Sequence, residues 1–87
     1  MTLCQLKVFA AVARHLNMTK ASREIYVSQS SISQQLKLLE EECGIKLFTK
    51  IGRGVKLTED GCLFLMDIEP LLHDVVKLKE KYSGIRL

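Results

Sequence analysis

Polar side chains recur at helical spacing in the second quarter of the chain and form a face that is rich in short hydrogen-bonding groups. These residues are Ser30, Ser33, Gln34, Lys37 and Glu41. A helix face that only met solvent would more often carry Lys and Glu, whereas this face holds hydroxyls and an amide with a single cation. A Gln amide can pair with the N6 and N7 edge of adenine, and a Ser hydroxyl can serve several bases. The chemistry that these side chains suit is hydrogen bonding to base edges.

Catalytic constellations are absent from the sequence. Nucleophilic catalysis needs a base beside a Ser or Cys, and His15 and His73 each lack a partnering motif. The acids at 40–42 are consecutive, so they point in different directions around a helix and form no facing pair. We interpret Glu40 as one partner of an ion pair that has a structural role. We therefore expect no enzymatic activity.

The three cysteines are odd in number and far apart. Cys4, Cys43 and Cys62 include no C-x-x-C pair, which argues against a disulfide framework and against a zinc site. We expect reduced, buried thiols, with Cys43 on the apolar stripe of its helix. No metal or cofactor is expected.

Two short helices joined by a tight corner would position the polar face. The second helix has a buried stripe at i, i+4, i+7 and i+11, formed by Ile32, Leu36, Leu39 and Cys43. The first has Met18, Ala21 and Ile25 inward and Lys20 and Arg23 outward. Asn17 and Ser28 are the predicted N-caps. Because Ala21 is small where the helices must approach, the pattern predicts a helix-turn-helix, with an ordinary αα-hairpin as the alternative.

A first helix from Thr2 to Leu16 should cover this pair. Thr2 and Gln5 have the form of a capping box. The apolar face comprises Leu3, Leu6, Phe9, Ala10, Ala13 and Leu16. Gly44 can adopt the left-handed conformation that ends the second helix of this pair.

A β hairpin is predicted over residues 47–58. Leu47, Thr49 and Ile51 alternate before Gly52-Arg53-Gly54, and Val55 and Leu57 follow. Arg53, between two glycines at the tip, suits a narrow minor groove. The alternative is an exposed loop residue with no partner.

The last helix should begin at Thr58, run to about Tyr82 and end at Ser83-Gly84, with Pro70 kinking or dividing it. Its turns to about Met66 are expected to fold back on the core. Its apolar stripe is wider than one small domain needs, so beyond Pro70 we expect a partner helix. The expected dimer residues are Leu71, Leu72, Val75, Val76 and Leu78.

Charge is distributed unevenly along the 87 residues, whose net charge is +3. Residues 1–39 and 43–58 each carry +4, while residues 59–87 carry −2. This asymmetry suits a polyanionic partner on one side of the molecule. The chain lacks both a signal-peptide layout and an apolar run of about 20 residues, so a cytoplasmic, nucleoid-associated location is expected.

With these elements placed, the chain from Leu3 to about Leu72 resembles the N-terminal DNA-binding domain of the LysR-type transcriptional regulators. Each match alone is weak, and the order and spacing of the motif residues carry the resemblance. They are Leu6, Phe9, Thr19, Ala21, Ser28, Gln29, Ser33, Leu39, Glu40, Gly44, Leu47, Phe48, Arg53, Leu57, Thr58 and Gly61.

The resemblance implies a mainly α fold. A winged helix-turn-helix, with a three-helix core and a two-stranded β wing, would occupy residues 1–58, and a linker helix that dimerises it would occupy residues 59–87. A homodimer would bind double-stranded DNA by sequence at an interrupted inverted repeat near a bacterial promoter and control transcription. RNA polymerase is an expected partner of a full-length regulator.

The resemblance also implies DNA contacts. The recognition helix, about residues 28–42, would lie in the major groove with Arg53 in the flanking minor groove. The expected base contacts are Gln29, Ser30, Ser33 and Gln34. The expected backbone contacts are Thr19, Lys20, Ser28, Ser31, Lys37 and Lys50, with Ser28 acting partly through the helix N-terminus that it caps.

The sequence departs from the family pattern at a few positions. Ser30 stands where proline is frequent in the family, and Gln34 stands where a basic residue is frequent. Ser22 replaces a frequent alanine, and Lys50 stands where arginine is common. Proline in a first turn costs no intrahelical bond, so the fold should be unaffected by its absence. Because the departures fall on and near the expected DNA contacts, the target sequence does not follow from the family pattern. Full-length members carry a C-terminal effector-binding α/β domain. This chain stops near where that domain would begin, as expected of either a DNA-binding piece or a natural short protein.

A winged-helix module that binds protein is the rival interpretation, because fold does not fix function. The acid-poor outer face of the recognition helix and the acid-free basic stretch from Lys46 to Lys56 argue against it.

Overall fold

The computed structural model describes residues 1–83, which form a three-helix body, a two-stranded wing and a long final helix. The elements are α1 (Leu3–His15), α2 (Met18–Ile25), α3 (Gln29–Cys43), β1 (Phe48–Ile51), β2 (Gly54–Leu57) and α4 (Glu59–Lys81). This order confirms the winged helix-turn-helix. Gly84, where the last helix was expected to end, lies outside the described residues.

Side-chain caps begin each of the four helices, and all were predicted. Thr2 and Gln5 form the complete capping box of α1. The side chains of Asn17, Ser28 and Thr58 accept hydrogen bonds from backbone N–H groups in the first turns of α2, α3 and α4. A cap satisfies donors that the helix cannot satisfy internally, so the starting points follow from local sequence.

Left-handed residues end the first three helices. Gly44 ends α3 at φ 71°, as predicted. Leu16 at φ 51° and Tyr26 at φ 56° end α1 and α2 without the glycine that this conformation favours. The left-handed conformation costs an L-residue about 1–2 kcal/mol. Their N–H groups bond to the oxygens of Val12 and Ser22, which stabilises the two corners.

The core is centred on α1, which packs against α2, α3 and α4. The Phe9 ring is fully buried, with its centroid 5.2 Å from that of Phe48 and 5.1 Å from that of Phe64. The single apolar face predicted for α1 is wrong in part, since Leu3 and Leu16 are exposed. Three residues outside that face are buried: Val8, Ala11 and Val12. A helix covered by three neighbours buries more than one stripe.

The cysteine prediction is also wrong in part. Cys4 and Cys62 are exposed, and Cys43 alone is half-buried. Burial, followed by the negative charge of Glu42, raises the pKa of the Cys43 thiol.

Helix α4 runs uninterrupted through Pro70, which excludes division, the second of the two alternatives predicted for this proline. Its contact with the core also extends further than expected. Met66 is 67% exposed, whereas Ile68 is buried and Leu72 packs against the core. Within residues 1–83, no helix combines the length and the apolar character needed to cross a membrane.

Gly61 fixes the start of α4 against the wing. A Cβ at this position would lie 2.2 Å from the Leu47 carbonyl oxygen, so only glycine permits the observed approach. Thr58 strengthens the same junction, because its N–H donates to that oxygen at 3.0 Å.

Candidate nucleic-acid interface

The outer face of α3 carries the predicted polar residues in exposed positions. Ile32, Leu36 and Leu39 are buried, which rotates the opposite side of the helix into solvent. The exposed residues on that side are Ser30, Ser33, Gln34, Lys37 and Glu41. The amphipathic pattern therefore places these side chains where a partner can reach them.

The N-terminus of α3 has the features of an anion site. Ser28 Oγ accepts the Ser31 N–H at 3.1 Å and lies 3.3 Å from Ser30 Oγ. No acidic residue lies in the first turn of α3. The positive end of the helix dipole and the adjacent hydroxyls would favour a phosphate here.

The first turns of α2 and α3 meet through two side chains for which the sequence predicts separate roles. Gln29 Nε2 donates to Thr19 Oγ1 at 3.1 Å. Thr19 was expected to contact phosphate, and Gln29 was expected to contact a base. Nothing local predicts this contact, because the partners are ten residues apart and the α2–α3 corner alone brings them together.

The wing is an antiparallel hairpin whose register pairs Phe48 with Leu57 and Ile51 with Gly54. The two-residue tip holds Gly52 at φ 52° and an exposed Arg53, as the glycine pattern predicted. The expected alternation is wrong at Ile51, which is exposed. A two-stranded hairpin buries one face only, and the register puts Phe48 and Leu57 on it.

Glu40 attaches the wing to the recognition helix. Its Oε2 accepts the Leu47 N–H at 2.6 Å and the Phe48 N–H at 3.3 Å. Lys46 Nζ is 3.9 Å from the same carboxylate and is far more exposed. The predicted ion-pair role of Glu40 is therefore secondary to its bonds with the two backbone N–H groups.

A groove of about 790 Å³ lies between α3 and the wing. Gln29, Ser30, Ser33 and Lys37 contribute from α3, and Lys50 contributes from β1. The one acid among the described residues that line it is Glu40, whose carboxylate already accepts hydrogen bonds from the N–H groups of Leu47 and Phe48. The groove thus combines hydrogen-bonding groups with unopposed positive charge.

Two lysines that line this groove, Lys37 and Lys50, take part in no ion pair within the part of the chain that is described. The same holds for Lys20 and Arg53, which lie outside the groove lining, whereas Lys46 lines the groove and pairs with Glu40. Other paired charge lies on α1 and α2, where Arg14 and His15 both contact Glu24. The hydrogen bond from Arg14 is the main cause that lowers the pKa of Glu24.

The residues expected at a dimer contact divide into two groups. Leu71, Val76 and Leu78 are more than half exposed, in agreement with an unpartnered apolar face. Leu72 and Val75 are half-buried, and together with Val76 they line a groove of about 240 Å³ between α1 and α4.

Three comparisons place the chain among known proteins. The sequence profile described as "Bacterial regulatory helix-turn-helix protein, lysR family" matches residues 3–62. The glycine cleavage system transcriptional activator of Escherichia coli (strain K12) is 40% identical over 79 residues, which are 91% of this chain and 26% of that protein. The HTH-type transcriptional regulator BudR of Klebsiella aerogenes is 44% identical over 85 residues, which are 98% of this chain and 59% of that protein.

The fold matches that of a solved DNA complex. The crystal structure of the CbnR DNA-binding domain bound to DNA has a TM-score of 0.85 and 34% identity to this chain, covering 97% of each. By contrast, the chain spans about a quarter of the length of the glycine cleavage activator.

Proposed function

Because the chain belongs to the LysR family of bacterial regulatory helix-turn-helix proteins, we propose that it binds double-stranded DNA by sequence and regulates transcription. The observation that carries this proposal is the outer face of α3, which exposes amides and hydroxyls beside cations with no ion-pair partner among residues 1–83. The 34% identity to a domain solved with DNA supports it.

Helix α3 reads base edges from the major groove. That groove is about 12 Å wide, and an α-helix with its side chains measures about 10–12 Å across. Gln29, Ser30, Ser33 and Gln34 are exposed on or beside the face that would enter it. Amides and hydroxyls offer both donors and acceptors, which is what discrimination among base pairs requires.

Phosphate contacts hold α3 in this position. Lys20, Lys37 and Lys50 supply charge from three different elements, which are α2, α3 and β1. Thr19, Ser28 and Ser31 supply hydroxyls near the starts of α2 and α3. Such contacts set orientation and affinity but carry no sequence information directly.

The wing adds a contact outside the major groove. Arg53 projects from a two-residue tip, and the wing is attached at its base by Glu40 and Thr58. A narrow minor groove attracts such a cation because its negative potential is enhanced. We assign Arg53 to the minor groove beside the α3 site.

A homodimer through α4 binds an interrupted inverted repeat and, in a full-length regulator, acts on RNA polymerase. The exposed side chains of Leu71, Val76 and Leu78 support the first part. A two-fold symmetric dimer presents two copies of α3, so its operator would carry two half-sites in inverted orientation.

Fluorescence anisotropy at fixed salt tests the proposal, comparing duplexes selected from a genomic library with random duplexes. Wild type should bind the selected duplexes tightly and selectively, and Gln29→Ala should lose selectivity. Gln35→Ala is the matched control, since it removes an amide from a half-buried side of the same helix. Equal, weak binding to every duplex would instead favour a protein-binding module with a basic surface.

A further inference from the structure

We propose that Thr19 is a positioning residue that fixes the hydrogen-bonding pattern of Gln29 and thereby selects adenine over guanine. This inference rests on the proposed function, because it assumes that Gln29 meets a base edge. Thr19 would touch no base itself and would act through the orientation of the Gln29 amide.

The geometry that carries the inference is a hydrogen bond between two exposed side chains on separate helices. Gln29 Nε2 donates to Thr19 Oγ1 at 3.1 Å. Thr19 is the second residue of α2 and Gln29 is the first residue of α3. Without such a partner, an exposed Gln side chain samples several rotamers and can present its amide in either sense.

Both partners lie in first turns of helices whose backbone is fixed by an N-cap side chain. The Asn17 side chain accepts the Lys20 N–H at 2.9 Å and fixes the first turn of α2. Ser28 fixes the first turn of α3 in the same way. The fully buried Ala21 sits beneath this corner, and the β-branched Thr19 side chain has few χ1 choices of its own. The hydroxyl is therefore held at a defined position relative to Gln29.

The donor count of the amide then decides which base fits. A Gln amide has two N–H groups and one carbonyl oxygen. One N–H is used by Thr19, so one N–H and Oε1 remain for a ligand. Adenine presents an acceptor at N7 and a donor at N6, which match this pair, whereas guanine presents acceptors at both N7 and O6. Against guanine, Oε1 would face O6 with no proton between them.

Thr19 keeps a donor for the DNA backbone. A threonine hydroxyl has one O–H and two lone pairs, and accepting from Gln29 uses one lone pair. Its own O–H is left to donate to a phosphate oxygen. A single hydroxyl can thus satisfy the backbone contact expected of Thr19 while it orients the side chain that reads the base.

The opposite orientation of the Gln29 amide would give the opposite purine preference. If Oε1 accepted from the Thr19 O–H, both N–H groups would face outward and would suit guanine. The direction of the purine preference therefore reports the orientation of the amide.

The experiment measures anisotropy at fixed salt with the full chain and a duplex selected by wild type, each base pair changed in turn. The pair read by Gln29 is the one whose identity no longer matters to Gln29→Ala. At that pair wild type should prefer adenine over guanine by about 10-fold. Thr19→Val, which keeps the shape and removes the hydroxyl, should bring the preference close to 1, and Thr19→Ser should restore it.

Controls separate positioning from other effects. Ser31→Ala removes a hydroxyl from the first turn of α3 that does not contact Gln29, so it should weaken binding to both duplexes without changing their ratio. An unchanged urea midpoint for Thr19→Val would show that the variant folds normally.

The other outcomes would refute either the role of Thr19 or base reading by Gln29. A guanine preference in wild type, or an adenine preference that Thr19→Val leaves intact, would refute the role of Thr19 while sequence-specific binding stands. Identical behaviour of wild type and Gln29→Ala on every duplex would refute base reading by Gln29, and with it the assumption on which this inference rests.

Discussion

Helices α3 and α4 begin and pack against the body in similar ways, but their exposed faces differ in polarity. Each begins at a hydroxyl cap and buries apolar side chains against the body. On its outer face α3 exposes hydroxyls, amides and Lys37, while α4 exposes large apolar side chains such as Met66 and Val76. Burial alone explains one side of each helix. The other side indicates the partner that we propose for each helix, which is a polar, anionic groove for α3 and an apolar surface for α4.

The largest effect is expected from charging the apolar face of α4. Val76→Lys should convert a dimer into a monomer in sedimentation, because an ammonium group would replace an apolar contact. Affinity for a duplex with two half-sites should fall by about 100-fold or more, since the second binding event is no longer intramolecular.

Glu80→Lys introduces the same side chain at an exposed polar position of α4 and should leave the dimer intact. Val76 is preferable to the half-buried Val75, where loss of folding and loss of assembly would be mixed. A Val76→Lys dimer would place the contact on another face of α4.

The next effect concerns the attachment of α4 to the body. Gly61→Ala should lower the free energy of unfolding by about 2 kcal/mol, because the new Cβ would collide with the Leu47 carbonyl. Urea denaturation measures this loss. Cys62→Ala, on the exposed side of the same turn, should change stability by no more than about 0.5 kcal/mol. Equal stability of the two variants would mean that the junction relaxes without cost.

An effect of similar size should follow from releasing the wing from α3. Glu40→Ala leaves the N–H groups of Leu47 and Phe48 without their carboxylate and should cost about 1–3 kcal/mol in unfolding free energy. It should also shrink the loss of DNA affinity caused by Arg53→Ala, because a displaced wing no longer holds Arg53 in place.

A double-mutant cycle in anisotropy measures this coupling, with the exposed Glu41→Ala as the control. Full additivity of Glu40→Ala and Arg53→Ala would show that Glu40 stabilises the fold without positioning the wing.

The smallest effect sharpens the contrast in charge between α3 and α4. Lys37→Gln should flatten the dependence of log affinity on log salt by about 0.9, the value for one phosphate contact. Lys77→Gln removes an exposed lysine from α4 and should leave the slope unchanged. Equal slopes for Lys37→Gln and wild type would remove Lys37 from the phosphate contacts.

Much of the fold could be predicted because its signals are local. The caps at Thr2, Asn17, Ser28 and Thr58 bond to N–H groups three residues away, and every one was recognised in the sequence. The α3 stripe and the glycine-flanked wing tip are likewise short patterns. The exposed positions of the candidate base contacts follow directly from that stripe.

The errors share a different cause, which is contact between elements distant in sequence. The burial of Val8 and Ala11 depends on three helices packing around α1, and the exposure of Cys4 and Cys62 depends on which faces those helices leave uncovered. Leu16 adopts a left-handed conformation that its residue type disfavours, because the corner between α1 and α2 requires it.

The sequence by itself determined where the helices begin, which side of α3 is buried and which chemistry that helix exposes. Hydrogen bonds and apolar repeats that span a few residues are sufficient for these features. Only the tertiary structure decided that Thr19 meets Gln29 and that Glu40 holds the start of the wing. Contacts of this kind depend on the angles and distances at which whole helices pack, which no short stretch of sequence specifies.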